Sequence, residues 1–155
     1  MKKQSAGILL YRFKNKVLEV LLAHPGGPFF AKKNMGAWTI PKGELQEGEE
    51  PLLAAKREFF EETGKEIEGE FLSLTPITQK SGKVVFAWAV EGDFDVSILK
   101  SNGFTIEWPP KSGISREFPE IDRAQWFSVT VAQQKINPGQ LPLIYELIGK
   151  LKPPR

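Results

Sequence analysis

Glu58, Glu61 and Glu62 are the residues of this 155-residue chain whose spacing could do chemistry together. On a helical wheel at about 100° per residue, with Glu58 at zero, Glu61 falls near ~300° and Glu62 near ~40°. Three carboxylates then share one arc. Leu52, Leu53, Phe59 and Phe60 fall on another, between about 100° and 220°. The wheel therefore predicts an apolar face for the core and an acidic face opposite it. Like charges at such spacings repel unless something neutralises them. A hard divalent cation would do so, because it takes oxygen ligands and, as Mg²⁺, shares them with waters and substrate phosphates. A cation so held can neutralise charge on phosphate oxygens and make a bound water nucleophilic. A carboxylate beside that water can take its proton, and Glu58 is the first candidate.

Composition removes the competing chemistries. There is no Cys and a single histidine, His24. A disulfide framework, a thiolate zinc site, a cysteine nucleophile and a helical His pair are all excluded. Any metal must be held by oxygen. Lys and Arg number 21 against 19 Asp and Glu, a net charge of +2. That argues against a nucleic-acid partner, which would need many phosphates neutralised. Lys2-Lys3 before the apolar run Ala6–Tyr11 resembles a stunted signal peptide, but Arg12 ends the run after six residues. A cytoplasmic protein with no membrane partner is expected.

The elements that must position the glutamates follow from pattern. Ala6–Tyr11 and Val17–Ala23 read as a strand pair around a polar turn. Residues 24–37 read as a Gly/Pro-rich loop holding a brief strand at Phe29-Phe30-Ala31. Trp38-Thr39-Ile40 reads as another short strand, closed by Pro41-Lys42-Gly43. Pro51–Thr63 is the clearest helix, with Pro at its start and Gly64 suited to the left-handed position after its end. Glu70–Thr78 and Val84–Val90 flank a turn at Lys80–Lys83. Both faces of Val84–Val90 are apolar, which predicts a central strand. Phe104–Trp108 and Ala124–Ser128 are weaker strands with an irregular loop at 109–121 between them. Val129–Lys135 and Leu141–Leu151 read as helices and Pro153–Arg155 as a frayed tail. One α/β domain over residues 1–155 is expected.

Gly43, Glu49, Arg57-Glu58-Phe59, Glu61-Glu62 and Gly64 resemble the Nudix box, matching eight of its nine fixed positions. At roughly 6% per residue type, a chance match is on the order of one in ten million, so coincidence is set aside. Lys65 is the departure, standing where the family prefers an aliphatic residue. Trp38–Glu44 is similar to the family's lead-in. The resemblance implies an α/β/α sandwich with a mixed sheet. It also implies divalent-metal-dependent hydrolysis of a nucleoside diphosphate linked to another group, with Mg²⁺ or Mn²⁺ as cofactor. Carried over residue by residue, Glu58, Glu61, Glu62 and the Gly43 carbonyl become metal ligands. Arg57 orients the acidic cluster, Glu49 steadies the loop–helix junction and Lys42 meets a phosphate. Glu120, six residues before Trp126, resembles a further carboxylate used by the diadenosine tetraphosphatase-like branch, as metal ligand or base; Glu117 competes for that place.

The partner implied is a small nucleotide. Substrate marks are missing: there is no Tyr around Lys80–Lys83, no Pro of the ADP-ribose type and no coenzyme A signature. Nucleoside triphosphates and dinucleoside polyphosphates both stay open, as does the oligomeric state. Phe29, Phe30, Trp38, Phe86, Trp88, Trp108 and Trp126 are the aromatics able to stack a base. The alternative is a catalytically silent Nudix-fold module that binds a nucleotide or RNA. Such a module does not need three metal carboxylates.

Overall fold

A computed structural model describes residues 3–151. Its strands are β1 (Gln4–Lys14), β2 (Val17–Pro25), β3 (Lys42–Glu44), β4 (Leu72–Thr78), β5 (Val84–Glu91), β6 (Gly103–Glu107), β7 (Ser115–Pro119) and β8 (Ile121–Ser128). Its helices are α1 (Pro51–Thr63), α2 (Val129–Lys135) and α3 (Leu141–Lys150). The main sheet runs β4-β5-β1-β2-β8, with β3 also on β1; β1 and β5 are parallel and the other pairs antiparallel. The expected mixed sheet is present, and β5 is indeed internal.

Two apolar layers cover it. Leu9, Leu22, Leu74, Ala87 and Phe127 pack under Ala132 of α2 and Leu143, Ile144 and Leu147 of α3. Ile8, Leu10, Leu21 and Val90 pack under Ala54, Ala55 and Phe59 of α1. This is the α/β/α sandwich, with alternate residues of each strand serving opposite layers.

The site depends on a split between β1 and β2. They pair from Tyr11–Val20 to Lys14–Val17. Past that point the 38–44 segment occupies the gap: Thr39 exchanges backbone bonds with Ala23 at 2.8 and 2.9 Å, and β3 pairs Lys42 with Gly7 and Gly43 with Ala6. Gly7 is required here, since a Cβ would lie 2.6 Å from the Pro41 carbonyl oxygen. The split places Gly43 beneath α1.

Several expectations need correction. Phe29-Phe30-Ala31 lies in turns, and Trp38 and Thr39 form isolated bridges, with the nearby strand at Lys42–Glu44. Residues 109–121 are not wholly irregular: β7 pairs with β6, Phe118 opposite Phe104 and Glu117 opposite Thr105. β6 alternates exposed and half-buried residues, whereas β7 is exposed except at Phe118, so only the first strand of the hairpin carries a burial pattern. Lys65, the departure from the box, turns its ammonium to the Asp93 carbonyl, and Ile67 supplies the buried apolar contact. Residues 153–155 lie outside the described residues.

The helix is also turned differently from the wheel's prediction. Phe59 is fully buried, but Phe60 is 47% and Leu53 54% exposed, while Glu62 is only 7% exposed. Two alanines, Ala54 and Ala55, let α1 approach the sheet closely, so its inward arc runs from Ala54 through Glu58, Glu62 and Ala55 to Phe59. The acids flank the core contact instead of opposing it. Phe59→Ala should therefore cost about 3–5 kcal/mol in denaturant unfolding. Phe60→Ala should cost no more than about 1 kcal/mol.

Candidate active site

α1 begins with Pro51 and ends at Gly64, whose φ of 83° is left-handed and whose N–H bonds the Phe60 carbonyl at 2.7 Å. Glycine meets that φ without a Cβ clash. Between these ends the helix fixes Arg57, Glu58, Glu61 and Glu62 in one geometry.

Arg57 sits at the centre of it. Its Nε and Nη2 donate to Glu49 at 2.8 and 2.9 Å, a two-pronged match of guanidinium to carboxylate. Its Nη1 donates to Glu58 at 2.9 Å and Glu61 at 2.6 Å, and Nη2 also reaches the Glu44 carbonyl at 3.1 Å. Every donor of the fork is directed at the loop or at an acid of the helix. The bond from Arg57 holds the Glu49 carboxyl below its usual range, and the surrounding acids raise the Arg57 pKa. Glu49 also accepts from the Gln46 N–H at 3.0 Å, which ties the loop before the helix.

Glu58 lies against Gly43 so closely that a Cβ there would be 2.0 Å from its carboxyl carbon. Only glycine leaves that space. Burial raises the Glu58 pKa, with Arg57 opposing and Glu61 and Glu120 adding to the rise. Glu62 is pushed up to about 9, first by burial and then by the charges of Glu58 and Glu120. Lys42 faces this pair; burial and Lys83 lower its pKa, while Glu62, Glu44 and Glu58 oppose the fall.

Glu120 occupies the bend between β7 and β8, exposed, yet near enough for its charge to act on both Glu58 and Glu62. Gly26 pins this bend: its N–H donates to the Glu120 carbonyl at 2.8 Å, and a Cβ on it would strike the Pro119 carbonyl oxygen at 1.9 Å. Glu117 instead lies against Gly103 in the β6–β7 hairpin. The structure thus brings together Gly43, Glu58, Glu62, Lys42 and the charge of Glu120. Glu61 is turned to Arg57 and is 37% exposed at its side chain. Among the described residues no three acidic or histidine side chains already converge as a cage for a metal. Gly26, which sets the Glu120 bend, was not singled out from sequence; its Gly-Gly context between two Pro residues was the available signal.

The donor set fits a divalent cation. A buried carboxyl, Glu62, lies near a half-buried one, Glu58, the candidate ligands are all oxygen, and the cations acting on the two acids are Arg57 and Lys42. His24 is committed elsewhere, with Nδ1 2.9 Å from Asp122 and Nε2 2.7 Å from the Lys33 carbonyl. For protein free of divalent ions, the raised Glu62 pKa has a definite sign. The folded state keeps a proton that the unfolded state releases, so stability is full below about 4.5 and falls as pH rises towards about 9. The slope for one such proton is about 1.4 kcal/mol per pH unit. Denaturant unfolding between these pH values should show this decline, and Glu62→Gln should flatten it while leaving the protein at least as stable near pH 8.

The match to known proteins agrees with this geometry. A family model described as NUDIX domain matches residues 1–147. The asymmetrical bis(5'-nucleosyl)-tetraphosphatase of Rattus norvegicus is 32% identical over 114 residues, covering 65% of this chain and 74% of that protein. Among solved structures, a C. elegans Ap4A hydrolase in a binary complex superposes with a TM-score of 0.68 at 21% identity, covering 95% of this chain and 97% of the other. The NUDIX domain of Shewanella oneidensis NrtR, complexed with ADP ribose, gives 0.69 at 16% identity, covering 98% and 90%. These two share the fold. None of the described helices is long and apolar enough to cross a membrane. With the box on α1 and the family model spanning nearly all of it, the chain belongs to the Nudix family of pyrophosphohydrolases.

Proposed function

We propose that this protein hydrolyses a phosphoanhydride bond in a nucleoside diphosphate linked to another group, with nucleoside triphosphates and dinucleoside polyphosphates as the leading substrates and Mg²⁺ or Mn²⁺ as cofactor. The observation that carries this reading is the Glu58–Glu62 pair beside Gly43, Glu62 buried and Glu58 half-buried, two carboxyls that each hold their proton more tightly than usual. The similarity to a bis(5'-nucleosyl)-tetraphosphatase supports the substrate class.

In this reading Glu58, Glu62 and the Gly43 carbonyl would hold the ion, with Glu61 and Glu120 as the further carboxylates near it. A bound divalent cation supplies charge neutralisation on the phosphate oxygens and makes water a better nucleophile. Arg57 keeps Glu58 and Glu61 oriented while Glu49 occupies the other side of its fork. Lys42 contributes an ammonium to the substrate phosphates. The attacking water gives its proton to a carboxylate, Glu58 or Glu120. Glu58 has Oε1 committed to Arg57, which leaves its other oxygen for that work. Glu120 carries no such bond to Arg57 and stands exposed on the bend. The exposed Phe29, packed edge-to-face on Trp108 at 5.3 Å in the loop beyond Gly26, offers an aromatic surface for a base.

The direct test is a phosphate-release screen over nucleoside triphosphates, dinucleoside polyphosphates, nucleotide sugars and ADP-ribose, with Mg²⁺ and Mn²⁺ compared. Turnover should require the divalent ion, and Glu62→Gln should remove most of it. Nucleotide binding without turnover on any substrate would instead identify a silent module. Glu120→Gln should lower kcat by roughly 10²–10⁴-fold with KM little altered if the residue takes the proton. Partial rescue by high Mg²⁺ would make it a metal ligand. Glu117→Gln should stay near wild type, since its side chain belongs to the hairpin.

A further inference from the structure

The segment between His24 and Trp38 has no regular strand or helix over most of its length, yet it is tied down at several points. His24, fully buried, holds the Lys33 carbonyl at 2.7 Å and Asp122 at 2.9 Å. The Gly36 N–H donates to the Gln134 carbonyl at 3.0 Å and the Trp38 N–H to the Lys135 carbonyl at 2.9 Å. The Trp38 indole donates to Asn34 Oδ1 at 3.0 Å. These bonds hold the 31–34 turn over β8 and the end of α2, and between them lies a recess of about 280 Å³.

Four cations line this recess, Lys32, Lys33, Arg123 and Lys135, and no carboxylate does. The whole chain has a net charge of only +2, so this clustering is local. Mutual repulsion disfavours such a group unless an anion relieves it. The nearest acid is Asp122, whose Oδ1 is 3.6 Å from Arg123 Nε but is already bonded to His24. The floor is aromatic: the Arg123 guanidinium lies 5.2 Å over Trp38 and the Lys135 ammonium 5.8 Å over Phe127. Those contacts place the cations while leaving their N–H groups free. Because Asn34 spends its side-chain oxygen on Trp38, its NH₂ is left as a further donor. The lining presents donors and positive charge.

Arg123, Gln125 and Phe127 share one face of β8, and Phe127 belongs to the layer under α2 and α3. Glu58 and Glu62 come from α1, on the other side of the sheet. We propose that this recess is a second anion site, built for a diphosphate group and separate from the carboxylate cluster. Four cations spread around a recess of about 280 Å³ offer more donors than a single phosphate group can use. Free pyrophosphate and the diphosphate tail of a nucleotide offer the same chemistry.

The test is isothermal titration calorimetry of the full chain, stripped of divalent ions on a chelating resin, with pyrophosphate and with ADP. Saturable binding is expected in the wild type, weakened roughly tenfold or more in Lys32→Ala/Arg123→Ala. Lys32→Ala alone, in an exposed turn, should weaken it in the same direction if the double variant fails to fold. Lys14→Ala, at the β1–β2 turn and outside the recess, should bind as the wild type does. Equal affinity for the two ligands identifies the diphosphate alone as the recognised group; tighter ADP identifies a nucleotide. No binding of either ligand, unchanged affinity in the recess variants, or an equal loss of binding in Lys14→Ala would each overturn the proposal. Divalent-dependent hydrolysis is not read in this experiment, so its outcome is separate from that of the active-site reading.

Discussion

The placement of Glu62, buried, close to Glu58, half-buried, is the constraint on which the rest of this structure turns. Two carboxylates in a partly dehydrated space oppose folding twice over, through lost solvation and through mutual repulsion. The surrounding chain is arranged to accept that cost. β1 and β2 separate so that the 38–44 segment can enter, and Gly43 supplies a backbone with no side chain where the Glu58 carboxyl arrives. Ala54 and Ala55 bring α1 down onto the sheet, and Phe59 anchors it there with a fully buried ring. A larger residue at 43 would displace the very carboxyl that the helix delivers.

Arg57 is the counterweight that the chain itself carries. Its guanidinium spans Glu49 in the preceding loop and Glu58 and Glu61 on its own helix, and so joins loop to helix through one planar group. Lysine could not substitute, since a single ammonium lacks the paired geometry. Yet Arg57 touches only Glu58 of the pair. Glu62 has Lys42 as its cationic neighbour, and burial weakens the protonated form of that lysine as well. Without an ion, a proton on Glu62 keeps the pair from carrying two charges, and it is that proton a divalent ion would replace. A buried group whose pKa moves this far, beside a specific charge partner, is a common mark of a functional site.

Much of this was legible in the residues. Pro51 and Gly64 bracket α1 because each meets a local backbone demand, and the paired apolar faces of Val84–Val90 announce an internal strand. What sequence missed depends on contacts made at a distance. The wheel placed the acids away from the core because charged residues usually face water, but the small Ala54 and Ala55, not the large Phe60 and Leu53, decide which arc touches the sheet. Of the β6–β7 hairpin, Phe104–Trp108 was legible as a strand but β7 was not, because Ser115-Arg116-Glu117 is polar and exposed. Trp38 and Thr39 read as a strand, whereas the gap between β1 and β2 admits only a bridge there. The lone His24 showed no signal of its own, and its role as a tie between Lys33 and Asp122 needs the fold to bring β8 alongside.

The claim that the pair exists to receive a divalent cation is tested most directly by proton release. Near pH 7 Glu62 holds a proton that a bound ion must displace. Titrating the metal-free protein with Mn²⁺ in weakly buffered solution should release about one proton per ion bound, and the Glu62→Gln protein should release none. Saturable Mn²⁺ binding with no proton released, or no binding at all, would contradict the account.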